Sequence, residues 1–143
     1  MKINFFSVRK DEMEYIHQFA KKYDIEAIIH HDALTIENVN LCLGSQAVSI
    51  MTTKTDENII KKLSEYQVSY ISTRTIGFDH IDLDACKKYG IHVGNVSYSL
   101  ASVAEYTVMM ILMSLRNMKL IMERFATQDF SLNNIRGKEL THL

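Results

Sequence analysis

The residues best placed for chemistry lie in two short loops, each of which follows an apolar, strand-like run. The first loop contains Gly77, which stands between such a run and a helix-like segment. A glycine at the carboxyl end of a strand allows a ligand to approach the backbone, and the N–H groups of residues 76–78 then form a small nest suited to a carboxylate. A plain tight turn explains the same glycine and is the commoner use of one, so both interpretations stay open.

The second loop contains Tyr98 and Ser99, directly before a long helical pattern. We expect both residues to face the same crevice as Gly77. A tyrosine ring can pack on a small substrate while its hydroxyl donates a hydrogen bond. A purely structural tyrosine is the alternative.

Other polar residues near the ends of predicted strands are expected to have structural roles. Asp79 and Asp82 are predicted to cap the following helix, and His80 to be a partly buried hydrogen-bonding residue. The pair His30 and His31 has no third ligand at a metal-binding spacing and is expected to end the second strand. The sequence therefore predicts no metal site.

The elements that must position these loops alternate between strand and helix. Apolar runs predict five strands, at residues 3–6, 25–29, 47–51, 68–72 and 91–93. Helical spacing predicts helices at 11–23 and 82–89, a helix that begins at an N-cap Thr55, and a short helix or turn at 36–43. This alternation predicts an α/β fold of the flavodoxin-like, doubly wound type with a five-stranded parallel sheet. Ligands bind outside the carboxyl ends of the strands in such sheets, where both loops lie.

A long apolar helix is predicted after the sheet. Ser102 and Glu105 have the spacing of a capping box, and the helical pattern continues to about residue 127, roughly 26 residues in all. Between residues 106 and 115 only Thr107 and Ser114 are polar. A helix that is apolar on every side is normally buried on every side, so a second domain, a second subunit or both should cover it.

Composition narrows the classes of function. The chain has 143 residues and a net charge of −1, with 16 basic and 17 acidic residues spread along it, so no nucleic acid or membrane partner is expected. Cys42 and Cys86 lack metal-ligand spacing and the N-terminus carries no export signal, which together predict a reducing cytoplasm. The longest apolar run is about half of the ~20 residues that a membrane-spanning helix needs. The five glycines form neither G-x-G-x-x-G nor a phosphate loop, so this chain cannot hold a dinucleotide by the usual means.

Three motifs in fixed order resemble the N-terminal portion of the D-specific 2-hydroxyacid dehydrogenases, and among them the D-lactate dehydrogenases. They are STRTIGFDHIDL from Ser72, GIHVGNVSYS from Gly90 and SVAEYTVMMIL from Ser102. The resemblance covers residues 68–140 by motif and residues 1–67 by pattern. It implies a two-lobed oxidoreductase, in which a flavodoxin-like lobe binds pyruvate or a similar 2-oxo acid and a Rossmann domain binds the cofactor NAD.

The resemblance also implies roles for individual residues. It places the substrate carboxylate on backbone N–H groups at Ile76 and Gly77, and the substrate site that we predict from it comprises Ile76, Gly77, Phe78, Tyr98 and Ser99. Val103 is the one residue predicted to contact NAD, which is otherwise bound by a domain outside this sequence. The long helix, residues 102–127, is predicted to form the interface of a homodimer.

No catalytic residue is predicted in this chain. The family's catalytic arginine, histidine and glutamate follow the glycine fingerprint, which this sequence lacks. Arg74, Arg116, His80 and Glu105 should not be assigned to those roles. Where many relatives have a proline after the tyrosine and serine, this chain has Leu100, which loosens the loop slightly.

The predicted organisation is a substrate-binding domain at residues 1–100, a connecting helix at 101–127 and a linker at 128–143 toward an absent NAD-binding domain. Such a truncated chain is expected to be inactive alone. The alternative is a stand-alone dimerisation or interaction module without catalysis. A phosphorelay receiver is not favoured, because the first and third strands end without the acidic residues that receivers require.

Overall fold

The computed structural model describes the backbone of residues 1–142 and the side chains of residues 1–141. The chain divides into two compact units, with the division between Tyr98 and Ser99.

The first unit is built on a five-stranded, all-parallel sheet, as the sequence predicts. Its strands are β1 (Lys2–Phe5), β2 (Glu26–Ile29), β3 (Ala47–Ile50), β4 (Tyr70–Thr73) and β5 (His92–Gly94). They lie in the order β2-β1-β3-β4-β5, so the direction of winding reverses between β1 and β3. This is the order of a flavodoxin-like sheet, and the predicted fold class is confirmed.

Two hydrophobic clusters flank the sheet. Phe5 and Phe6 enter different clusters, because successive side chains of an extended strand point to opposite faces. The larger cluster joins the sheet to α2 (Glu57–Glu65) and α3 (Leu83–Tyr89), and the smaller one joins it to α1 (Met13–Tyr23). The segment whose conformation the sequence left open forms a short 3-10 helix, Val39–Cys42.

The prediction that Thr55 caps α2 was wrong. The N-cap is Asp56, whose carboxylate accepts hydrogen bonds from the N–H groups of Asn58 and Ile59. Thr55 is instead fully buried, and its N–H donates to the carbonyl of His80 at 2.8 Å. Asp82 does cap α3 as predicted, by accepting from the N–H of Ala85.

The second unit contains two α-helices where the sequence predicts one, followed by a short 3-10 helix, Leu140–His142. Helix α4 spans Ala101–Leu115 and α5 spans Met118–Ala126, with Asn117 in the left-handed conformation between them (φ 53°). The prediction of a continuous helix over residues 102–127 was therefore wrong. Asparagine adopts this conformation more readily than most residues, and its side-chain nitrogen donates to the carbonyl of Arg136 at 3.1 Å.

The predicted capping box at Ser102 and Glu105 was also wrong. Helix α4 begins one residue earlier, with Leu100 at the N-cap position and no side-chain cap from that residue. The hydroxyl that accepts a hydrogen bond at this end belongs to Ser99, which lies 3.2 Å from the N–H of Ala101. Ser102 lies inside the first turn of the helix.

Candidate functional site

The two loops singled out in the sequence begin side by side at the carboxyl edge of the sheet. One follows β4 and the other follows β5, and these two strands are paired in parallel. The N–H of Val96 donates to the carbonyl of Thr75 at 3.2 Å, and the side-chain nitrogen of Asn95 donates to the carbonyl of Ile76 at 2.8 Å. Parallel pairing of β4 and β5 thus positions the β5 loop against the bend that contains Gly77.

The bend at residues 76–78 has free amide donors. Among the hydrogen bonds within residues 1–142, none uses the N–H group of Ile76, Gly77 or Phe78. Gly77 and Phe78 are exposed and Ile76 is partly buried. These unpaired backbone donors are available to an anionic ligand.

Gly77 is not a turn residue of the ordinary kind. Its φ lies outside the left-handed region, and a Cβ added to it would meet no atom within 4 Å. Neither backbone conformation nor close packing therefore requires a glycine at this position. The interpretation of Gly77 as a plain tight turn is therefore weakened. The absence of a side chain leaves open space beside the backbone.

The carbonyl groups of the bend are all bonded within the protein. Besides the two bonds from the β5 loop, the hydroxyl of Thr75 donates to the carbonyl of Gly77 at 2.7 Å, and the N–H of Ile81 donates to that of Phe78 at 3.0 Å. The bend thus has its acceptors occupied and its donors free, which favours an anionic ligand over a cationic one.

Thr73 and His80 are hydrogen-bonding residues on either side of this bend in the sequence. The hydroxyl of Thr73 lies 2.5 Å from that of Thr75 and 3.2 Å from Nε2 of His80. Thr73 is fully buried, and His80 is partly buried and hydrogen-bonded, as the sequence predicts. The imidazole of His80 is therefore bonded to Thr73.

Arg74 fills the edge of the sheet where the winding reverses. Its guanidinium donates to the carbonyls of Phe6 and Ser7, at 2.8 and 3.2 Å, and to Oγ of Ser49 at 3.0 Å. It also forms an ion pair with Glu12, with 3.2 Å between Nε and Oε1, and both side chains are less than one-fifth exposed. The guanidinium of Arg74 thus bonds to the ends of β1 and β3, and the free amides lie two to four residues further along the chain.

The remaining predicted substrate residues lie in different units. Tyr98 ends the first unit with 57% of its surface exposed, so its ring and hydroxyl are available to a ligand. Ser99 begins the second unit, where it accepts the hydrogen bond from Ala101. Roles for both in substrate binding stay predictions.

The histidine pair at the end of β2 has structural partners. Nε2 of His30 lies 2.7 Å from Oδ1 of Asn4, and its ring stacks on Phe6 with 4.5 Å between centroids. Burial lowers the pKa of His30, and the nearby Asp32 partly opposes that shift. Nδ1 of His31 lies 2.8 Å from the carbonyl of Val8. In the part of the chain that the structure describes, no three His, Cys, Asp or Glu side chains are grouped as metal ligands.

The described residues offer little to a dinucleotide. Val103 lies in the first turn of α4 and is 56% exposed. Its isopropyl group can pack against a ring, but it has no donor for a phosphate. The sequence also has no G-x-G-x-x-G fingerprint.

Sequence reasoning missed Thr75 and Asn95, which hold the carbonyls of the bend. The signal was present for Asn95, a polar residue directly after the fifth strand and opposite the Gly77 loop. No local pattern distinguishes Thr75, because its hydroxyl bonds two residues ahead in an irregular loop. Among residues 1–142, no helix is long and apolar enough to cross a membrane.

Comparison with known proteins places this architecture in a family. The chain is similar to a D-specific alpha-keto acid dehydrogenase of Enterococcus faecalis, at 38% identity over 141 residues, which are 98% of this chain and 44% of that protein. It is also similar to a D-2-hydroxyacid dehydrogenase (NAD+) of Lacticaseibacillus paracasei, at 32% identity over 98% of this chain and 43% of that protein. Its fold is similar to that of apo D-lactate dehydrogenase from Escherichia coli, with a TM-score of 0.82 at 27% identity over 96% of this chain and 45% of that one.

The chain therefore spans a little under half the length of these relatives. The family model for the D-isomer specific 2-hydroxyacid dehydrogenase catalytic domain matches residues 3–138. Since that match covers nearly the whole chain, this protein belongs to the family of D-isomer specific 2-hydroxyacid dehydrogenases, in the part of them that is called the catalytic domain.

Proposed function

We propose that this chain is the substrate-binding lobe of an NAD-dependent D-2-hydroxyacid dehydrogenase and that it holds the carboxylate of a 2-oxo acid, pyruvate above all. The observation that carries the proposal is the bend at residues 76–78, with three consecutive free N–H groups and occupied carbonyls. Hydrogen bonds from N–H groups to a carboxylate are charge-assisted and so stronger than those between neutral groups. The names of the relatives, which act on keto acids and 2-hydroxy acids, support the same class of substrate.

The proposed reaction is the interconversion of a 2-oxo acid and its D-2-hydroxy acid. NAD supplies or accepts the hydride, and it is bound mainly by a domain that this chain does not contain. The lobe contributes binding and orientation: Ile76, Gly77 and Phe78 hold the carboxylate, and Tyr98 and Ser99 enclose the rest of the substrate. Val103 contacts the cofactor. No residue of this chain takes part in the proton or hydride transfer, so the chain alone has no turnover.

The first test is binding. Pyruvate added to the ¹⁵N-labelled chain should shift the amide signals of residues 76–78 before any others. Pyruvamide, which has the same ketone and no carboxylate charge, should not shift them. A replacement Gly77→Ala should leave the unfolding midpoint unchanged, because a Cβ added there meets no atom within 4 Å, and should weaken the pyruvate response by crowding the bend. Equal responses to pyruvate and pyruvamide would count against the nest.

The second test is activity. Residues 1–143 should replace the matching segment of the Enterococcus faecalis relative, which is 38% identical over this region. The chimaeric enzyme should oxidise NADH in the presence of pyruvate, while the 143-residue chain alone should not. Turnover by the chain alone would overturn its assignment as one lobe of a larger enzyme.

Helix α4 supports a proposal about assembly. Its exposed apolar side chains lie on all sides of the helix; they are Val103, Tyr106, Val108, Met109, Met110, Ile111 and Leu112. We propose that a second copy of the chain covers part of this surface, in a homodimer. The alternative function, an interaction module without catalysis, rests on the same surface. Sedimentation of the chain with and without residues 102–127 tests the dimer, and a dimer whose bend ignores pyruvate would favour the module.

A reducing compartment, the cytoplasm, is proposed from the thiols. Cys42 and Cys86 are both buried and unpaired. Burial raises the pKa of Cys42 to about 12 and that of Cys86 to about 11, so neither thiol is activated for disulfide exchange. Free structural thiols are usual where disulfides do not form.

A further inference from the structure

The free amides of the bend need fixed directions if they are to hold a carboxylate. If the loop were flexible, ordering it on binding would cost free energy and would weaken the affinity for the ligand. Two side chains contact the carbonyls of this bend, Asn95 and Thr75. We propose that Asn95 and Thr75 are positioning residues of the site, each fixing the direction of one carboxylate-binding N–H group. This inference rests on the proposed function and concerns two residues outside the bend itself.

Asn95 fixes the direction of an amide through the geometry of the peptide unit. The C=O of one residue and the N–H of the next belong to one planar trans unit and point in opposite directions. The side-chain nitrogen of Asn95 lies 2.8 Å from the carbonyl oxygen of Ile76 and so holds that carbonyl toward the β5 loop. The N–H of Gly77, in the same peptide unit, must then point away from the β5 loop. Asn95 thereby orients an amide that it does not touch.

Thr75 acts on the next peptide unit. Its hydroxyl donates to the carbonyl of Gly77 at 2.7 Å, which directs the N–H of Phe78 to the opposite side. The hydroxyl of Thr73 lies 2.5 Å from that of Thr75 and donates to the carbonyl of Met51 at 3.2 Å. Nε2 of His80 lies 3.2 Å from the same Thr73 hydroxyl. Thr73 thus connects the hydroxyl of Thr75 to the backbone that follows β3.

The third amide provides an internal reference. The N–H of Ile76 is oriented through the carbonyl of Thr75, which accepts from the backbone N–H of Val96 at 3.2 Å. No side-chain replacement at residue 75 or 95 removes that donor. Loss of Asn95 should therefore release the amide of Gly77, loss of the Thr75 hydroxyl should release that of Phe78, and both changes should leave the amide of Ile76 ordered.

The test compares four variants of the full 143-residue chain. Asn95→Ala and Thr75→Val remove the two donors, and Thr75→Ser keeps the hydroxyl. Asn38→Ala is the matched control, because Asn38 also donates its side-chain nitrogen to a backbone carbonyl, that of Ala33, at 2.8 Å. The readout is the ¹⁵N order parameter of each bend amide, which is about 0.85 for a rigid backbone and below about 0.6 for a flexible one.

The expected result is specific to position. The order parameter should fall toward the flexible range at Gly77 in Asn95→Ala and at Phe78 in Thr75→Val, and should hold in Thr75→Ser and Asn38→Ala. Pyruvate should bind each of the first two variants about tenfold more weakly, the loss expected for one charge-assisted hydrogen bond. A structural role alone would lower the unfolding midpoint without this pattern. Unchanged order parameters in both variants would overturn the inference without any ligand, whereas a wild-type bend that ignores pyruvate would overturn the proposed function.

Discussion

Replacement of Arg74 should be among the most destabilising single changes in the first unit. The change we consider is Arg74→Met, which keeps the apolar stem and removes the guanidinium. It deletes the ion pair with Glu12 and three further hydrogen bonds that join β4 to the ends of β1 and β3. Two of the acceptors left behind are backbone carbonyls at the edge of the sheet, those of Phe6 and Ser7.

The magnitude follows from burial and bond count. A hydrogen bond contributes about 1 kcal/mol net, and loss of one partner of a buried ion pair costs about 3–5 kcal/mol when the other charge stays uncompensated. Glu12 is not left wholly uncompensated, because its second carboxylate oxygen accepts from the N–H of Arg9 at 2.9 Å. We therefore expect a loss of about 3 kcal/mol in the free energy of unfolding. Arg74→Lys keeps the charge without the fork of donors and should lose about half of that.

The assay is urea unfolding followed through the amide signals of β3 and β4, which report on the first unit. Lys88→Met is the matched control. Lys88 and Glu57 form a shorter ion pair, 2.6 Å, but more than half of each side chain is exposed. Exposed pairs contribute little, so this change should leave the unfolding midpoint within experimental error. If Arg74→Met shifts the midpoint no more than Lys88→Met does, the argument that burial rather than distance decides the effect is wrong.

Three further predictions concern other parts of the chain. Cys42 and Cys86, with pKa values raised by burial to about 12 and about 11, should resist a thiol reagent at pH 8 in the native chain and should both react in denaturant. Burial lowers the pKa of His30 in the folded state, so the stability that neutral His30 contributes is present above pH 6.5 and is lost as the pH falls below that value. His30→Gln should remove this pH-dependent loss, measured by urea unfolding at pH 7.5 and 5.5. Asn117→Ala should lower the free energy of unfolding by about 1 kcal/mol if the left-handed conformation is kept. If it is not kept, α4 and α5 should join into one helix, and the ¹³Cα shifts at residues 115–118 would show which of the two occurs.

Much of the fold can be predicted from local sequence because its signals are local. Each strand is a short apolar run, and three of the four crossovers carry a helical spacing that is visible within a dozen residues. The cap of α3 was predicted correctly for the same reason, since Asp82 and Ala85 are three residues apart. The cap of α2 was missed by one position, because Thr55 and Asp56 are both acceptable cap residues and only tertiary pairing distinguishes them. Thr55 is drawn into the interior by its bond to the carbonyl of His80.

The location of the candidate site was also predictable, but its geometry was not. Parallel strands bring their carboxyl ends to one edge, so the loops after the fourth and fifth strands had to be neighbours. Whether the amides at residues 76–78 were free or bonded was not available from the sequence. That depends on where the carbonyls of the same bend find donors, and one of those donors, Asn95, is 19 residues away from Ile76.

A second asparagine shows that side-chain bonds between distant residues escape prediction from local sequence in more than one loop. Asn117 interrupts the apolar helix pattern at a place where the local sequence favours continuation, and its side chain donates to the carbonyl of Arg136, again 19 residues away. The N–H of Lys138 donates to the carbonyl of Leu115, so the segment after α5 satisfies the end of α4. In both places a short amide side chain links two loops by donating to a backbone carbonyl. Hydrophobic periodicity reports burial and cannot report such bonds. Residues that direct the backbone at a site must therefore be sought among polar side chains that local pattern leaves unexplained.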